Sequence, residues 1–203
     1  MSTTPTRSHV VAIGASAGGL DAIRTLIAEL PEGLAAPIVI AVHSAPDSRL
    51  TEILKTRSAL NIKRAEDDER LNNGWIYIVP GATHAFFRGG DLRLSKTVKN
   101  SGFRPSIDAL FMTLAAEHGD RAIAVVLSGN MNDGMRGAQV IYDMGGMTVV
   151  QSPDEAGFSN MPSNVIAADH PKEIMTARDL GRWLRDKIGP EPKQKAEATA
   201  DSD

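Results

Sequence analysis

Four short apolar runs rich in β-branched residues constrain this chain most: "HVVAIGA" from His9, "PIVIAVH" from Pro37, "AIAVVLSG" from Ala122 and "MTVVQ" from Met147. Stretches with helical periodicity lie between them. Strands buried on both faces read as continuous apolar runs, so the alternation predicts a parallel sheet covered by helices on both sides. The first helix places Leu20, Ile23, Ile27 and Leu30 at helical spacing and stops at "PEG". A second is expected from about Arg49 to Arg57, with Leu50, Ile53 and Leu54 on one face. "RPSIDALFMTLAAEHG" puts Ile107, Leu110, Phe111 and Leu114 on one stripe and ends at glycine.

"NIKRAE" and "WIYIVP" read as two more strands around a polar connection, and "HAFFRGGDLRLSK" alternates about Gly-Gly, the signature of a hairpin. "AIAVVLSG", the most apolar run, is expected near the middle of the sheet. A helix over about Gly134 to Met144 follows it, then "MTVVQ", then a final helix ending near Ile188. The expected fold class is α/β: a three-layer α/β/α arrangement on a mainly parallel, doubly wound sheet, with an inserted β-hairpin. One folded domain is expected over residues 9–188, between a disordered N-terminus (1–8) and a disordered tail (189–203).

Composition removes several function classes. The net charge of -3 gives no electrostatic reason to expect nucleic acid as a partner. No cysteine is present, so disulfides, thiolate metal sites and a cysteine nucleophile are excluded. "MSTTPTRSH" lacks the apolar stretch of a signal peptide, and no apolar run approaches the roughly 20 residues that cross a bilayer. A cytoplasmic protein without membrane insertion is expected, with no cofactor. The acidic run from Glu66 to Glu69 reads as a solvated turn rather than a metal site.

In open parallel sheets the site lies beyond the carboxyl ends of the strands. Ser16 follows the first strand and His43 ends the second; Asn130, Asn132 and Asp133 follow "AIAVVLSG". Serine, histidine and aspartate on three different strands are the inventory of an acyl-transfer triad. Serine needs a neutral imidazole to take its proton, and a carboxylate behind the imidazole holds the tautomer. The small neighbours Ala15, Ala17, Gly18 and Gly19 leave room for a bulky ester, and the amides opening the next helix favour developing negative charge. Helix capping is the ordinary duty of Ser16 and Asp133, but three separate caps converging on one sheet edge explain less than one site does.

A rival reading is a dinucleotide loop. "GASAGG" keeps Gly14 and Gly19 of G-x-G-x-x-G but has Ser16 at the middle glycine. The acid expected at the end of the second strand is replaced by His43, and no lysine follows for a P-loop. The residues favour the hydrolase and leave the nucleotide binder open.

"IGASAGGLDAI", "VHSAPDSRLTEIL", "IYIVPGATH", "GFRPSIDALF", "LSGNMNDGMRG" and "VVQSPDEAGFSNMPSNVI" together resemble, in order and spacing, the catalytic domain of the CheB-type protein-glutamate methylesterases. The resemblance covers nearly all of the expected domain. It implies hydrolysis of glutamate γ-methyl esters, and deamidation of certain glutamines, on a methyl-accepting chemoreceptor or similar methylated protein. It maps nucleophile, base and carboxylate onto Ser16, His43 and Asp133, and a backbone oxyanion contact near Asn130. Ala17, Asn130, Met131, His84 and Arg104 are the further oxyanion or substrate candidates.

The chain departs from the family at three points. Asn130 and Met131 stand where the family often has Met and Gly, "MPSN" replaces an MPR-type segment, and the chain begins on the catalytic domain with no receiver domain expected ahead of it. A non-catalytic module of this fold, binding a receptor helix or a nucleotide, is the alternative.

Overall fold

The structure is a computed structural model and describes residues 8–56, 60–100, 102–168 and 170–191. The chain opens with β1 (Val10–Ala15), α1 (Gly19–Ile27), β2 (Ile38–Val42), α2 (Leu50–Lys55) and β3 (Asn61–Arg64). Four strands follow: β4 (Glu69–Arg70), β5 (Trp75–Ile78), β6 (His84–Arg88) and β7 (Asp91–Ser95). The second half runs α3 (Ile107–His118), β8 (Ala122–Val126), α4 (Met135–Asp143) and β9 (Met147–Gln151). It closes with α5 (Asn160–Ala168), β10 (Glu173–Met175) and α6 (Ala177–Ile188).

Seven strands form one sheet in the order β10-β9-β8-β1-β2-β5-β3, and every pairing in it is parallel. The α/β class and the doubly wound sheet are as expected. The order reverses at β1, the middle strand: the chain leaves it towards β2 and later returns on its other side with β8. That is where the loops after β1, β2 and β8 converge.

Both faces of the sheet are covered, which is why the strands lack a polar face. Along β1, Val11, Ile13 and Ala15 join the core under α1, α2 and α6, while Val10 and Ala12 join the core under α3, α4 and α5. β8 divides the same way, with Ile123 and Val125 on one side and Ala122, Ala124 and Val126 on the other. The α3 stripe of Ile107, Leu110, Phe111 and Leu114 is fully buried. Complete burial of each such side chain stabilises by about 1.5–3 kcal/mol.

The inserted hairpin is β6 and β7, paired from His84↔Ser95 to Arg88↔Asp91 about Gly89 and Gly90. Both glycines have positive φ, at 66° and 87°, as a two-residue hairpin turn of the primed type requires. The short β4 extends it to three antiparallel strands, which the sequence reading did not anticipate.

Two further elements were also unforeseen. Between β9 and the last helix the chain forms α5 and β10. α5 begins "NMPSN", a polar, proline-containing start whose Met161, Pro162 and Val165 are buried only because α4 and the sheet are there. At the chain end, residues 189–191 of the expected tail are tied down, through Ala35 N–H to Gly189 O (3.0 Å) and Glu191 N–H to Gly33 O (2.8 Å). The rest of that expected tail, residues 1–7 of the expected disordered N-terminus, and the Arg57 end of the second helix lie outside the described residues.

Candidate active site

Ser16 stands one residue beyond β1. Its N–H donates to Ser128 O (2.9 Å), its carbonyl accepts from Gly19 N–H (3.0 Å), and Gly18, at φ 71°, is the N-cap of α1. The hydroxyl therefore caps no helix. Gly14 is explained by packing: a Cβ there would lie 3.1 Å from Ile107 Cδ1 and 3.2 Å from Phe111 Cζ. This glycine of the apparent phosphate fingerprint lets α3 close onto β1.

His43 follows β2, its N–H held by Ala15 O at 3.2 Å. Its ring bridges the other two residues, with Nδ1 3.2 Å from Ser16 Oγ and Nε2 2.8 Å from Asp133 Oδ2. An ionised carboxylate can only accept, so Nε2 carries the proton and Nδ1 presents its lone pair to the hydroxyl. Turning the ring over would set carbons against both partners. Relative to the chymotrypsin arrangement, the two nitrogens exchange duties.

The Asp133 side chain is fully buried, while that of His43 is 15% exposed. Besides His43, Oδ2 accepts from Ile107 N–H (2.8 Å); Oδ1 accepts from Asp108 N–H (2.9 Å) and the Ser106 hydroxyl (3.4 Å). These amides open α3, whose N-cap is Ser106. A helix N-terminus stabilises a carboxylate through its free N–H groups and its dipole. Asp133 thus caps α3, not the helix it precedes.

α4 receives its carboxylate from α3 in return: Asp108 Oδ1 accepts from Gly134 N–H and Gly137 N–H, each at 2.9 Å. Burial pushes the Asp108 carboxyl above its ordinary value; the Gly137 and Gly134 amides oppose this and the neighbouring Asp133 carboxylate adds to it. The helix that Asp108 caps starts more than 20 residues further along the chain, a pairing not legible in the sequence.

Three amides near Ser16 were candidates to receive negative charge. The Ser16 amide is engaged by Ser128 and that of Gly129 by Phe158 O (2.9 Å), whereas those of Ala17, Asn130 and Met131 make no hydrogen bond to a described residue. Gly129 lies so close to Ser16 that a Cβ on it would be 2.9 Å from the serine Cβ. The 128–131 loop is held by Gln151 Oε1 on Ser128 N–H (2.8 Å), by Met161 N–H on Gly129 O (2.9 Å) and by Asn164 Nδ2 on Met131 O (2.7 Å). The segment that lacks an arginine therefore supplies the clamp on this loop. Met131 occupies left-handed backbone, φ 72°, where glycine is the unstrained choice.

Of the other two substrate candidates, His84 is buried away from solvent and Arg104 is engaged by backbone carbonyls. His84 is 1% exposed, donating from Nε2 to Val98 O (3.0 Å) and accepting at Nδ1 from Ser106 N–H (3.2 Å). Arg104 donates through Nη1 to Lys96 O (3.0 Å) and Thr97 O (2.9 Å), pinning the loop after β7. That loop delivers Phe103, whose ring stacks on His43 with centroids 4.5 Å apart and 10° between planes. Phe103 went unnoticed in the sequence because a single aromatic outside a regular element carries no pattern.

A cavity of about 230 Å³ opens beside Ser16, lined among others by Leu20, Val42, Ser44, Arg49 and Ile53. A larger groove of about 830 Å³ runs along α1 past Asp21, Arg24 and Glu29, but none of Ser16, His43 and Asp133 lines it. Volume alone does not locate the chemistry. Among the described residues no helix is long and apolar enough to cross a membrane, and no cluster of histidine and carboxylates has metal-binding geometry.

Comparison with known proteins places the whole domain among its relatives. The family profile described as CheB methylesterase matches residues 11–184. The protein-glutamate methylesterase/protein-glutamine glutaminase 4 of Myxococcus xanthus is 34% identical over 182 residues, covering 88% of this chain and 52% of the relative. The protein-glutamate methylesterase/protein-glutamine glutaminase of Maricaulis maris is 35% identical over 181 residues, covering 86% and 45%. The chain thus spans about half the length of these relatives. The crystal structure of the Thermotoga maritima CheB methylesterase catalytic domain superposes with a TM-score of 0.85 at 29% identity, over 90% of this chain and 100% of that one.

Proposed function

The chain belongs to the CheB methylesterase family, and from that premise we propose that it is a serine esterase acting on glutamate γ-methyl esters of a chemoreceptor or similar methylated protein. Ser16, His43 and Asp133 are its catalytic residues, carried on a domain over residues 9–188 that works in the cytoplasm. The observation that carries the reading is His43, held between the Ser16 hydroxyl and the Asp133 carboxylate at 3.2 and 2.8 Å. No capping duty accounts for the Ser16 hydroxyl.

In the first half-reaction Ser16 Oγ attacks the ester carbonyl carbon while its proton passes to His43 Nδ1. The oxyanion is received by the unengaged amides of Ala17 and of Asn130 or Met131. As the tetrahedral centre collapses, the C–O bond to the methoxy group breaks and Nδ1–H protonates the leaving oxygen, giving methanol and a glutamyl ester of Ser16. Water, deprotonated by Nδ1, attacks that ester; the proton returns to Oγ and the free carboxylate leaves. A glutamine side chain follows the same course with ammonia as the leaving group. Asp133 keeps its charge throughout and stabilises the imidazolium.

The test is methanol release from a methylated receptor. Wild-type chain is expected to release it, and Ser16→Ala to lose several orders of magnitude with its folding retained. Near-wild-type release from Ser16→Ala removes the esterase and leaves a binding module, for which thermal stabilisation by nucleotide is the discriminating measurement.

A further inference from the structure

The proposed mechanism leaves one buried histidine without a task. His84 lies at the start of β6, in the small sheet packed on α3, and its ring is enclosed at 1% exposure. Ser106 N–H can only donate, so Nδ1 must be the unprotonated nitrogen, and the proton sits on Nε2 facing Val98 O. A flipped ring would present carbon to both. The imidazole is fixed in one tautomer and one orientation by two backbone groups on different segments.

Each segment leads to His43. On one side, Ser106 is the N-cap of α3, and the next two amides, of Ile107 and Asp108, seat the Asp133 carboxylate that holds His43 Nε2. On the other, Val98 belongs to the loop that continues through the paired residues Asn100 and Phe103, and the Phe103 ring lies flat on the His43 ring. The two paths start at the two nitrogens of His84 and end on the edge and the face of the same imidazole.

We propose that His84 is a positioning residue for His43: its two hydrogen bonds set the amide seat of Asp133 and the loop of Phe103 at a fixed separation, with the His43 ring held between them. The role also explains why an antiparallel hairpin is inserted into a parallel α/β domain. β6 carries the side chain that locks the start of α3, and Phe87 N–H on Thr113 Oγ1 (3.1 Å) fastens the same strand further along that helix. This inference rests on the reading of His43 as the proton carrier.

The experiment compares His84→Leu, which removes both bonds, with His84→Asn, which offers an acceptor where Nδ1 sits and gives up the bond to Val98. Misplacement of a reacting group by about 1 Å costs up to roughly 100-fold. His84→Leu is expected to lower kcat for methanol release by about 10- to 100-fold, with KM within about twofold of wild type. His84→Asn is expected to stay within about tenfold. A structural defect alone would not move the second readout, the downfield proton resonance of His43 Nε2–H bonded to Asp133. It is expected sharp in wild type and His84→Asn, and exchange-broadened in His84→Leu.

A His84→Leu protein with wild-type kcat and a sharp His43 resonance overturns the proposal. Should His84→Leu not fold, His84→Asn and His84→Gln each retain one bond and are each expected to lose about three- to tenfold in kcat; full activity in both overturns it equally. A wild-type chain that releases no methanol defeats the esterase reading instead, and the His43 resonance, which needs no turnover, still reports on the positioning.

Discussion

Asp133→Asn is nearly isosteric, and in a triad whose carboxylate serves only the imidazole it would be a purely catalytic lesion. Here it should also weaken the fold. Oδ2 accepts from Ile107 N–H and His43 Nε2, and Oδ1 from Asp108 N–H and Ser106 Oγ. An amide must place its NH2 group at one of these positions, and each faces a backbone N–H at under 3 Å. One charge-assisted bond, worth about 1.5–3 kcal/mol, is lost, and a buried N–H is left without an acceptor at about 1–3 kcal/mol. Removing the charge relieves the repulsion on Asp108, which returns part of this.

A net loss of about 3 kcal/mol is therefore expected. At about 2–4 °C per kcal/mol for a domain of this size, the Tm should fall by roughly 6–12 °C. Turnover should fall by roughly 10⁴, because Asn permits the tautomer that protonates Nδ1. Scanning calorimetry on Asp133→Asn beside Ser16→Ala is the measurement. A Tm for Asp133→Asn within roughly 2 °C of wild type would refute the argument that this carboxylate caps α3.

Gly14→Ala should cost about 1–3 kcal/mol by overpacking, since the new methyl meets Ile107 and Phe111; urea unfolding with an unchanged midpoint would show that α3 has slack against β1. Met131→Gly relieves left-handed backbone at an exposed residue and should raise the Tm by about 1–3 °C, while an unchanged or lower Tm would mean that the loop bears no strain. Both ring nitrogens of His118 are buried without a hydrogen-bond partner among the described residues, and burial, reinforced by Arg121, holds its pKa below the ordinary 6.5. The unfolded chain takes up this proton first, so stability declines as pH falls below about 6.5. His118→Leu should flatten that decline between about pH 7.5 and pH 5.5, and equal slopes in the two proteins would exclude His118 as its source.

The sequence disclosed what rests on local pattern. β1, β2, β8 and β9 were legible because burial on both faces produces uninterrupted apolar runs, and α3 because four core residues fall on one stripe. Ser16 and His43 were legible as candidates because each directly follows such a strand, and Asp133 because it lies in the loop after another. α5 was hidden because "NMPSN" is locally a turn composition and only the groove beside α4 makes it a helix. The exchange of caps between Asp108 and Asp133 spans 25 residues with no periodicity to betray it. His84 was a cleft candidate through its match to a family position, and Arg104 was kept as a candidate for substrate contact; the backbone carbonyls and the amide that engage them are set by tertiary packing.

The exchange of carboxylates between α3 and α4 bears on how such a domain can decay. A copy released from selection for catalysis can exchange Ser16 for almost any small residue, since among the described residues its hydroxyl is hydrogen-bonded only to His43. The same copy cannot discard Asp133 without freeing the start of one helix, nor Asp108 without freeing the start of the other. Among descendants that have lost the proposed reaction but kept the fold, the aspartate should therefore outlast the serine, and a chain with Asp133 intact but Ser16 replaced is the expected remnant.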